Sequence, residues 1–550
     1  MAPARTNLGT LVGDPLRFPR GMKAVGDELH ALGLRFGLYT DVGKTTCEGL
    51  PASYSNEAVD ALTFAAWGVD YVKADFCNTP PGATPQSLYS LISSALNATG
   101  RPMVLSLCSW GNGAPFGWAR NLAHSWRTGR DLFAVWDAKE RRALGLPSFL
   151  QSVMEAVEGE ANSDRFAGPF AFNDADMLVV GLDGMTPYGI VESCPPAVPD
   201  CTKGEYISRE RWGKVGGLTQ AEQKSHFFLW VMLSSPLMLG NDPRSMTKET
   251  LALLKAPEVL SIQRDAMAAQ GFKVPGSNGV HDVFCKPLEG DGERLQFAVL
   301  LFNPTSVALG RGEVRVDLRL SLVPFEERHG KPPEDVLADV ARAAMESAAA
   351  SHPACASPDT SKHCEGWARA GECANNPGFM RVQCACSCAK SSASKPEPRA
   401  FTEQPAAPGV VTRLSRRFIK ERAEGGTVKV NVRDAFARKD HGVFEDSLVW
   451  PGEIEPHGAE LLLVTVMLDG DTTAPSLPST TYVDREVEEM IDEASLMGGS
   501  IPEHSSPVSR REFLALGVAA IEACAIAVLL CVVKTQARRT APPVLRGKYV

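Results

Sequence analysis

The sequence has no long basic run before its C-terminal tail, and its 550 residues carry a formal net charge of −9. This charge pattern argues against nucleic acid as the main partner. Charged residues make up 22% and hydrophobic residues 44% of the chain, ordinary globular values that exclude a mostly disordered protein. Since a domain usually holds roughly 100–200 residues, the length predicts about three domains.

The N-terminus lacks the apolar core of a signal peptide, because residues 1–8 read MAPARTNL. Nothing in this stretch predicts entry into the secretory pathway. The cysteines predict the opposite, since six of the 14 lie between Cys355 and Cys388, a density typical of an oxidising compartment. The sequon Asn97-Ala98-Thr99 agrees with that compartment. We expect a secretory protein whose signal peptide is absent from this sequence.

One long apolar run lies near the other end, at residues 513–533, where only Glu522 interrupts it. It is long enough to cross a bilayer of about 30 Å, and the alternative is a buried core helix. Basic residues follow the run, so the positive-inside rule places a tail at 534–550 in the cytosol and everything before it in a lumen or outside the cell. The acidic, Thr/Ser/Pro-rich stretch 469–509 predicts a disordered stalk before this single transmembrane helix.

Strand-like and helix-like segments alternate up to about residue 270. Such alternation predicts a parallel sheet with helical crossovers, and polar residues at the carboxyl ends of its strands are typical of a (β/α) barrel. Six strands are fewer than the eight of a closed barrel, so we expect a barrel over residues 1–270 that lacks its first two strands. The predicted strands are 34–39, 69–75, 103–108, 125–128, 170–180 and 236–240, with helices at 56–67, 86–97 and 219–233.

The predicted strand within residues 70–77 carries a cation and a carboxylate on the same face, because Lys73 and Asp75 are two residues apart. A salt bridge that closes the strand end is one interpretation, and a catalytic carboxylate tuned by a lysine is the other. Converging carboxylates with aromatic neighbours suit glycosidic cleavage, which needs one ionised and one protonated carboxyl group. The other strand ends carry Tyr39, Asp41, Cys108, Ser109, Trp110, Trp126, Arg127, Asp131, Asp174 and Asp176.

Five segments in order, 14–22, 33–43, 67–75, 172–178 and 225–242, resemble the α-galactosidase and α-N-acetylgalactosaminidase family, glycoside hydrolase family 27. The resemblance implies a retaining double displacement with Asp75 as nucleophile and Asp131 as acid/base, and it implies no metal or organic cofactor. It also implies a disulfide between Cys47 and Cys77. The residues expected to bind the sugar are Tyr39, Lys73, Cys108, Ser109, Arg127 and Asp176.

Three departures from the family pattern stand out. The family's first two barrel strands, which carry a tryptophan and an aspartate pair, are expected to be missing here. Ser109 stands where many relatives have a glutamate and is similar to the residue of enzymes that admit an N-acetyl group. Phe172 replaces a usual tryptophan. Cys194 and Cys201 lie in an insertion, and we expect a bridge between them.

Short strands with period two at 280–287, 296–303, 312–318, 427–432 and 460–467 predict an antiparallel β-sandwich in two parts, 277–325 and 409–468. The late segments 433–446 and 456–458 resemble the closing strands of the family's sandwich. Between the two parts, residues 352–391 resemble a ShKT toxin-like module held by three disulfides, with the alternative of a zinc site at residues 384–388. The third bridge is left open, because Cys386 is extra and Ser391 stands at the family's last cysteine. The cysteines assigned to the module are Cys355, Cys364, Cys373, Cys384 and Cys388.

The sequence therefore predicts an α-galactosidase-type retaining glycosidase with a barrel, a sandwich split by a ShKT module, a stalk and a membrane helix. The expected substrates are α-galactoside oligosaccharides, glycolipids or glycoproteins, and the resemblance is compatible with a homodimer. Two alternatives stay open. Ser109 favours an α-N-acetylgalactosaminidase, and the missing aspartate pair favours a membrane-anchored carbohydrate-binding protein without turnover. The partner of the ShKT module is not predicted.

Overall fold

A computed structural model describes residues 2–7, 9–146, 150–160, 163–182, 217–275, 280–289, 294–322, 418, 420 and 425–467. The predicted ShKT module, stalk, apolar run 513–533 and tail lie outside these residues, as do Cys194 and Cys201. Within the ranges above, no helix is long and apolar enough to cross a membrane.

The first half of the chain forms a parallel sheet, as predicted. Its five strands pair in the order β1-β2-β3-β4-β7, and Asp41 lies opposite Asp75 in the register of β1 and β2. An isolated parallel bridge between Leu178 and Leu239 stands where the sequence predicts the sixth strand. A pair of two-residue strands, β5 and β6, lies beside the sheet. The strands are β1 Gly37–Asp41, β2 Tyr71–Asp75, β3 Val104–Cys108, β4 Ser125–Arg127, β5 Asp131–Leu132, β6 Leu150–Gln151 and β7 Phe172–Asp174.

Helices cross between the strands, and the three predicted ones are confirmed to within one or two residues. The third of these, α6, begins at a capping box in which Thr219 and Glu222 satisfy each other's backbone N–H groups. From Phe227 to Leu233 it is buried on all sides, because it lies between the parallel sheet and the second domain. The helices are α1 Gly21–Ala31, α2 Glu57–Ala66, α3 Pro85–Ala98, α4 Ala138–Ala143, α5 Val153–Glu160, α6 Gln220–Leu233, α7 Lys248–Leu254, α8 Pro257–Gln263 and α9 Leu318–Ser321.

The second domain is an antiparallel β structure built from both sides of the insert, as predicted. One sheet has the order β13-β12-β15-β10-β9-β8, and a two-stranded sheet pairs β11 with β14. The strand predicted at 312–318 is shorter in the structure, because the Asp317 carboxylate accepts backbone N–H groups and caps α9. The strands are β8 Phe272–Lys273, β9 Asp282–Leu288, β10 Gln296–Phe302, β11 Arg315–Asp317, β12 Lys429–Asp434, β13 Lys439–Glu445, β14 Ser447–Val449 and β15 Ala459–Met467.

Polar contacts join the two domains around a shared apolar core. Arg433 of β12 forms two hydrogen bonds of 2.8 and 2.9 Å with the buried carboxylate of Glu258 on α8. His457 Nδ1 lies 2.7 Å from Glu222 Oε1 at the start of α6. The Lys286 ammonium of β9 donates to the carbonyl of Val231, near the end of the same helix, at 2.8 Å. Helix α6 is therefore attached to the sandwich at both ends.

Candidate active site

The carboxyl end of β2 presents Asp75, which is 7% exposed. The Tyr39 hydroxyl, from the neighbouring strand β1, donates to Asp75 Oδ2 at 3.0 Å. The other oxygen, Oδ1, is buried and has no hydrogen-bond partner among the described residues. Because buried polar atoms are normally satisfied, Oδ1 is an oxygen that a bound ligand is suited to engage.

Lys73 shares the strand with Asp75 but forms no salt bridge with it. No carboxylate oxygen of the described residues lies within 4.0 Å of its ammonium, so the interpretation as a structural salt bridge is wrong. Burial disfavours the charged lysine and lowers its pKa, whereas the negative charges of Asp75 and Asp176 oppose this and raise the pKa of Lys73. Burial also raises the pKa of Asp75, Lys73 opposes this, and Asp131 adds to it. Asp131 thus lies close enough to act electrostatically on Asp75.

A disulfide and a second buried carboxylate support the loop after Asp75. The predicted bridge between Cys47 and Cys77 is confirmed. Asp41, fully buried, accepts the Gly43 N–H at 2.6 Å and the Cys77 N–H at 2.9 Å. Burial, with the charge of Asp75, raises the pKa of Asp41 to about 8. Asp41, Cys47 and Cys77 are spaced closely enough to suggest a metal site, but the two sulfurs are bonded to each other and leave one carboxylate.

Arg127 at the end of β4 links two further carboxylates. Its guanidinium, which is 1% exposed, lies 2.8 Å from Asp176 Oδ1 and 3.1 Å from Asp131 Oδ1. Asp176 is buried as well, and its Oδ2 accepts the Leu132 N–H at 2.7 Å. Burial raises the pKa of Asp176 to about 6, although Arg127 opposes the shift. Asp131 is more exposed than either partner, with 28% of its side chain accessible.

Cys108 is the last residue of β3, Ser109 follows it, and β3 lies between the strands that carry Asp75 and Arg127. The Cys108 thiol is not in a disulfide, and its sulfur lies 3.7 Å from Arg127 Nη1. Burial raises the pKa of this thiol well above the usual value, so it stays protonated. Ser109 is 1% exposed, and its hydroxyl donates to the Asn112 carbonyl at 3.0 Å. The structure therefore brings all eight predicted catalytic and substrate-binding residues to one edge of the sheet.

Sequence reasoning missed several side chains that support this edge. Tyr89, on α3, donates to the Ala74 carbonyl and accepts the Cys108 N–H, both at 3.2 Å. Glu160, on α5, accepts the Thr128 hydroxyl at 2.5 Å. Neither lies at a strand end, where a polar residue after an apolar run stands out in a sequence. Both come from helices that cross behind the sheet. Their burial in the structure marks them, and the sequence offers no comparable signal.

The arrangement gives one buried carboxylate a phenol as hydrogen-bond donor and a lysine on the same strand, and it pairs a second, more exposed carboxylate with a guanidinium. The first is suited to act as a nucleophile, because Tyr39 and Lys73 stabilise its ionised form. The second, Asp131, is accessible for proton exchange with a ligand and with water. Two carboxyl groups at the same edge of the sheet are the minimum that cleavage of a glycosidic bond requires, one as nucleophile and one as acid and base.

The sequence matches the models of two protein families. Residues 1–188 match the family described as "Alpha galactosidase A", and residues 354–390 match the ShK domain-like family. An alpha-galactosidase A from Cellvibrio japonicus is 35% identical over 305 residues, which cover 56% of this chain and 65% of the relative. A probable alpha-galactosidase from Dictyostelium discoideum is 37% identical over 311 residues, which cover 56% of this chain and 67% of the relative. The chain thus spans about two thirds of these relatives.

Solved structures show the same fold. Alpha-galactosidase I from Mortierella vinacea superposes with a TM-score of 0.53 at 22% identity, over 84% of both chains. A putative alpha-galactosidase from Bacteroides fragilis gives a TM-score of 0.54 at 25% identity, over 85% of this chain and 69% of that one. The parallel sheet and the antiparallel domain therefore correspond to an architecture already seen in such proteins.

Proposed function

Since the chain belongs to the alpha-galactosidase family, we propose that it is a retaining glycoside hydrolase that releases terminal α-linked galactose. The observation that carries the proposal is the pair of dissimilar carboxylates. Asp75 is buried, accepts the Tyr39 hydroxyl and shares its strand with Lys73, whereas Asp131 is 28% exposed and pairs with Arg127.

In the first step, a carboxylate oxygen of Asp75 attacks the anomeric carbon and the bond to the leaving oxygen breaks. Asp131 gives its proton to that oxygen, so an alcohol departs and a glycosyl ester of Asp75 remains. In the second step, Asp131 accepts a proton from water as the water oxygen attacks the same carbon and frees Asp75. Both steps invert the anomeric centre, so the product keeps the α configuration.

The remaining strand-end residues are proposed to hold the sugar hydroxyls. Lys73 and Arg127 offer charged donors and Asp176 offers acceptors at the same edge of the sheet as Asp75, whose Oδ1 has no hydrogen-bond partner among the described residues. Hydrogen bonds from charged groups to hydroxyls are stronger than neutral ones. Cys108 and Ser109 complete this side of the site.

Ser109 supports a second candidate, an α-N-acetylgalactosaminidase. Its small side chain is folded back onto the Asn112 carbonyl and leaves more room than the glutamate of many relatives. Comparing kcat/KM for 4-nitrophenyl α-galactoside and its N-acetylated analogue distinguishes the two. Preference for the N-acetylated substrate would replace galactose with N-acetylgalactosamine in the proposal.

For the cellular setting, we propose that the catalytic part faces a lumen or the cell exterior and that residues 513–533 anchor it to the membrane. The Cys47–Cys77 disulfide supports an oxidising compartment, and the apolar run followed by basic residues supports the anchor. The ShK domain-like region is proposed to bind a separate partner.

Covalent labelling tests the central assignment. The full chain is incubated with 5-fluoro-α-galactosyl fluoride, which forms a slowly hydrolysed glycosyl ester, and peptides are mapped by mass spectrometry. The label is expected on Asp75 and is expected to be absent from the Asp75→Asn variant. Asp131→Asn serves as the matched control and should still be labelled, because fluoride leaves with little acid assistance. A label on another carboxylate, or an unlabelled wild type, contradicts the proposal.

A further inference from the structure

Asp176 has a backbone conformation that residues other than glycine rarely adopt, with φ at +86°. A side chain with a Cβ is strained there and keeps the conformation only where its surroundings fix it. Asp176 is 3% exposed, so those surroundings are protein. The groups that hold its backbone therefore decide where its carboxylate lies.

Each backbone N–H from residue 175 to residue 179 has a hydrogen-bond partner, and four of the five partners are side chains. A run of five satisfied N–H groups, most of them bonded to side chains, is unusual outside helices and sheets and fixes the path of the chain. The donor and acceptor pairs are Ala175 N–H to Ser235 Oγ at 3.0 Å, Asp176 N–H to Asp174 Oδ1 at 2.9 Å, Met177 N–H to Asp176 Oδ1 at 2.7 Å, Leu178 N–H to the Met238 carbonyl at 2.7 Å and Val179 N–H to His226 Nε2 at 3.0 Å.

Trp230, on α6, holds the Asp176 carbonyl. Its indole N–H donates to that oxygen at 2.8 Å, and its ring stands edge-on against His226 with 4.1 Å between the ring centroids. Both side chains are fully buried. Burial lowers the pKa of His226 to about 3, so the imidazole is neutral and its Nε2 accepts the N–H of Val179. Helix α6 thus fixes the segment at residues 176 and 179.

The position of Asp176 matters for Asp131 in two ways. Asp176 Oδ1 pairs with Arg127 at 2.8 Å, and Arg127 also pairs with Asp131. Asp176 Oδ2 accepts the N–H of Leu132, the residue after Asp131, at 2.7 Å. A shift of the Asp176 carboxylate would therefore displace both the cation beside Asp131 and the backbone that carries it.

We propose that Trp230 is a positioning residue for the acid/base step: its indole N–H holds the left-handed backbone at Asp176, which in turn places Asp131. The inference rests on the proposed function. Trp230 acts through Asp176. Because Asp176 and Arg127 are also proposed to hold the sugar, which all substrates share, the acid/base role is the part of the effect that depends on the leaving group.

Substrates that differ in their need for acid separate this role from general stability. α-Galactosyl fluoride leaves with little proton transfer, whereas methyl α-galactoside needs a protonated leaving oxygen. Trp230→Phe is expected to lower kcat/KM for the methyl galactoside by at least about 10-fold more than that for the fluoride, since a small misplacement of a catalytic group is costly. Trp450→Phe is the control, because Trp450 is also buried and lies in the sandwich. It should leave the ratio of the two values unchanged.

A second variant keeps the test valid if Trp230→Phe fails to fold. Replacing Trp230 with 3-benzothienylalanine keeps the ring shape and removes only the N–H, and the same change in ratio is expected. The positioning role is overturned if a folded variant loses kcat/KM equally on both substrates or loses none on either. The proposed function still stands in that case, provided that the wild type turns the substrates over. A wild type that hydrolyses neither substrate overturns the proposed function and this inference together.

Discussion

Glu160 is buried behind the strand ends, where its Oε2 has no hydrogen-bond partner among the described residues. Burial raises its pKa from 4.5 to about 8, with the charge of Asp174 adding to the effect and the Thr128 hydroxyl opposing it. Between these two pH values the folded protein keeps a proton that the unfolded chain has lost. The stability contributed by Glu160 is therefore present below about pH 4.5 and lost as the pH rises through about 8.

This loss of stability with rising pH leads to a prediction for Glu160→Gln. The amide keeps an acceptor for Thr128 and cannot ionise, so the fall in Tm between pH 5 and pH 8.5 should be smaller than in the wild type by at least about 2 °C. Scanning calorimetry at both pH values checks it. The exposed neighbour Glu158→Gln is the control and should behave as the wild type does. Parallel pH dependence in Glu160→Gln and the wild type would contradict the prediction.

For individual residues, the sequence predicts the functional side chains on the strands but few of the side chains that support them from behind. Asp75 and Lys73 can be read from the sequence because a charged pair interrupts an apolar strand, and the order of such strand ends along the chain points to one site. Tyr89 and Glu160 carry no such signal, since an aromatic or acidic residue within an amphipathic helix is ordinary. That Lys73 forms no salt bridge with the described residues also depends on distances that sequence spacing does not contain.

The loops after β1 and β2 are the element that supports the nucleophile, because the disulfide joins them. Cys47 Sγ lies 3.5 Å from Asp75 Oδ2 and 3.6 Å from the Tyr39 hydroxyl. The bridge closes a segment with a sequence separation of 30 residues. It therefore both restricts the unfolded chain and packs against the reacting carboxylate.

Replacing both cysteines, in a Cys47→Ala and Cys77→Ala double variant, is expected to lower the free energy of unfolding by roughly 3–4 kcal/mol from loop closure alone. Activity should fall at temperatures where the variant is still folded, because Asp75 and Tyr39 lose a packing partner. Urea denaturation and kcat measured at 15 °C check the two parts. A double variant with wild-type kcat would show that the bridge supports stability only.

Strand and helix boundaries are predictable where the apolar pattern is strong and fail where a side chain ends the element. Helices α2, α3 and α6 follow the pattern closely. The sequence places the first strand at 34–39, whereas β1 runs from Gly37 to Asp41, since pairing with β2 rather than hydropathy sets its bounds. The α9 turn replaces the end of a predicted strand because Asp317 caps it.

For the whole molecule, the contact between barrel and sandwich depends on a buried acid. Glu258, whose side chain is 8% exposed, is held by Arg433, which is 16% exposed, and by Arg438, which is 49% exposed. Removing Arg433 would leave a largely buried carboxylate with one exposed partner. Losing the partner of a buried charge usually lowers the free energy of unfolding by more than losing a surface ion pair does.

Arg433→Met is accordingly expected to lower the free energy of unfolding by about 1–3 kcal/mol, and the matched Arg438→Met by no more than about 0.5 kcal/mol. Urea denaturation at pH 7 and low salt measures both. Equal effects of the two substitutions would show that the pair contributes no more than a surface contact.

The attachment of α6 to the sandwich also sets an order for biosynthesis. Ser225 on α6 donates to the His457 carbonyl, a partner 232 residues further along the chain. At a ribosomal rate of roughly 5–20 residues per second, about 12–46 s pass between the synthesis of the helix and the synthesis of that partner. Its apolar surface is therefore exposed to chaperones and proteases during translation, and a pause before β15 would lengthen that exposure.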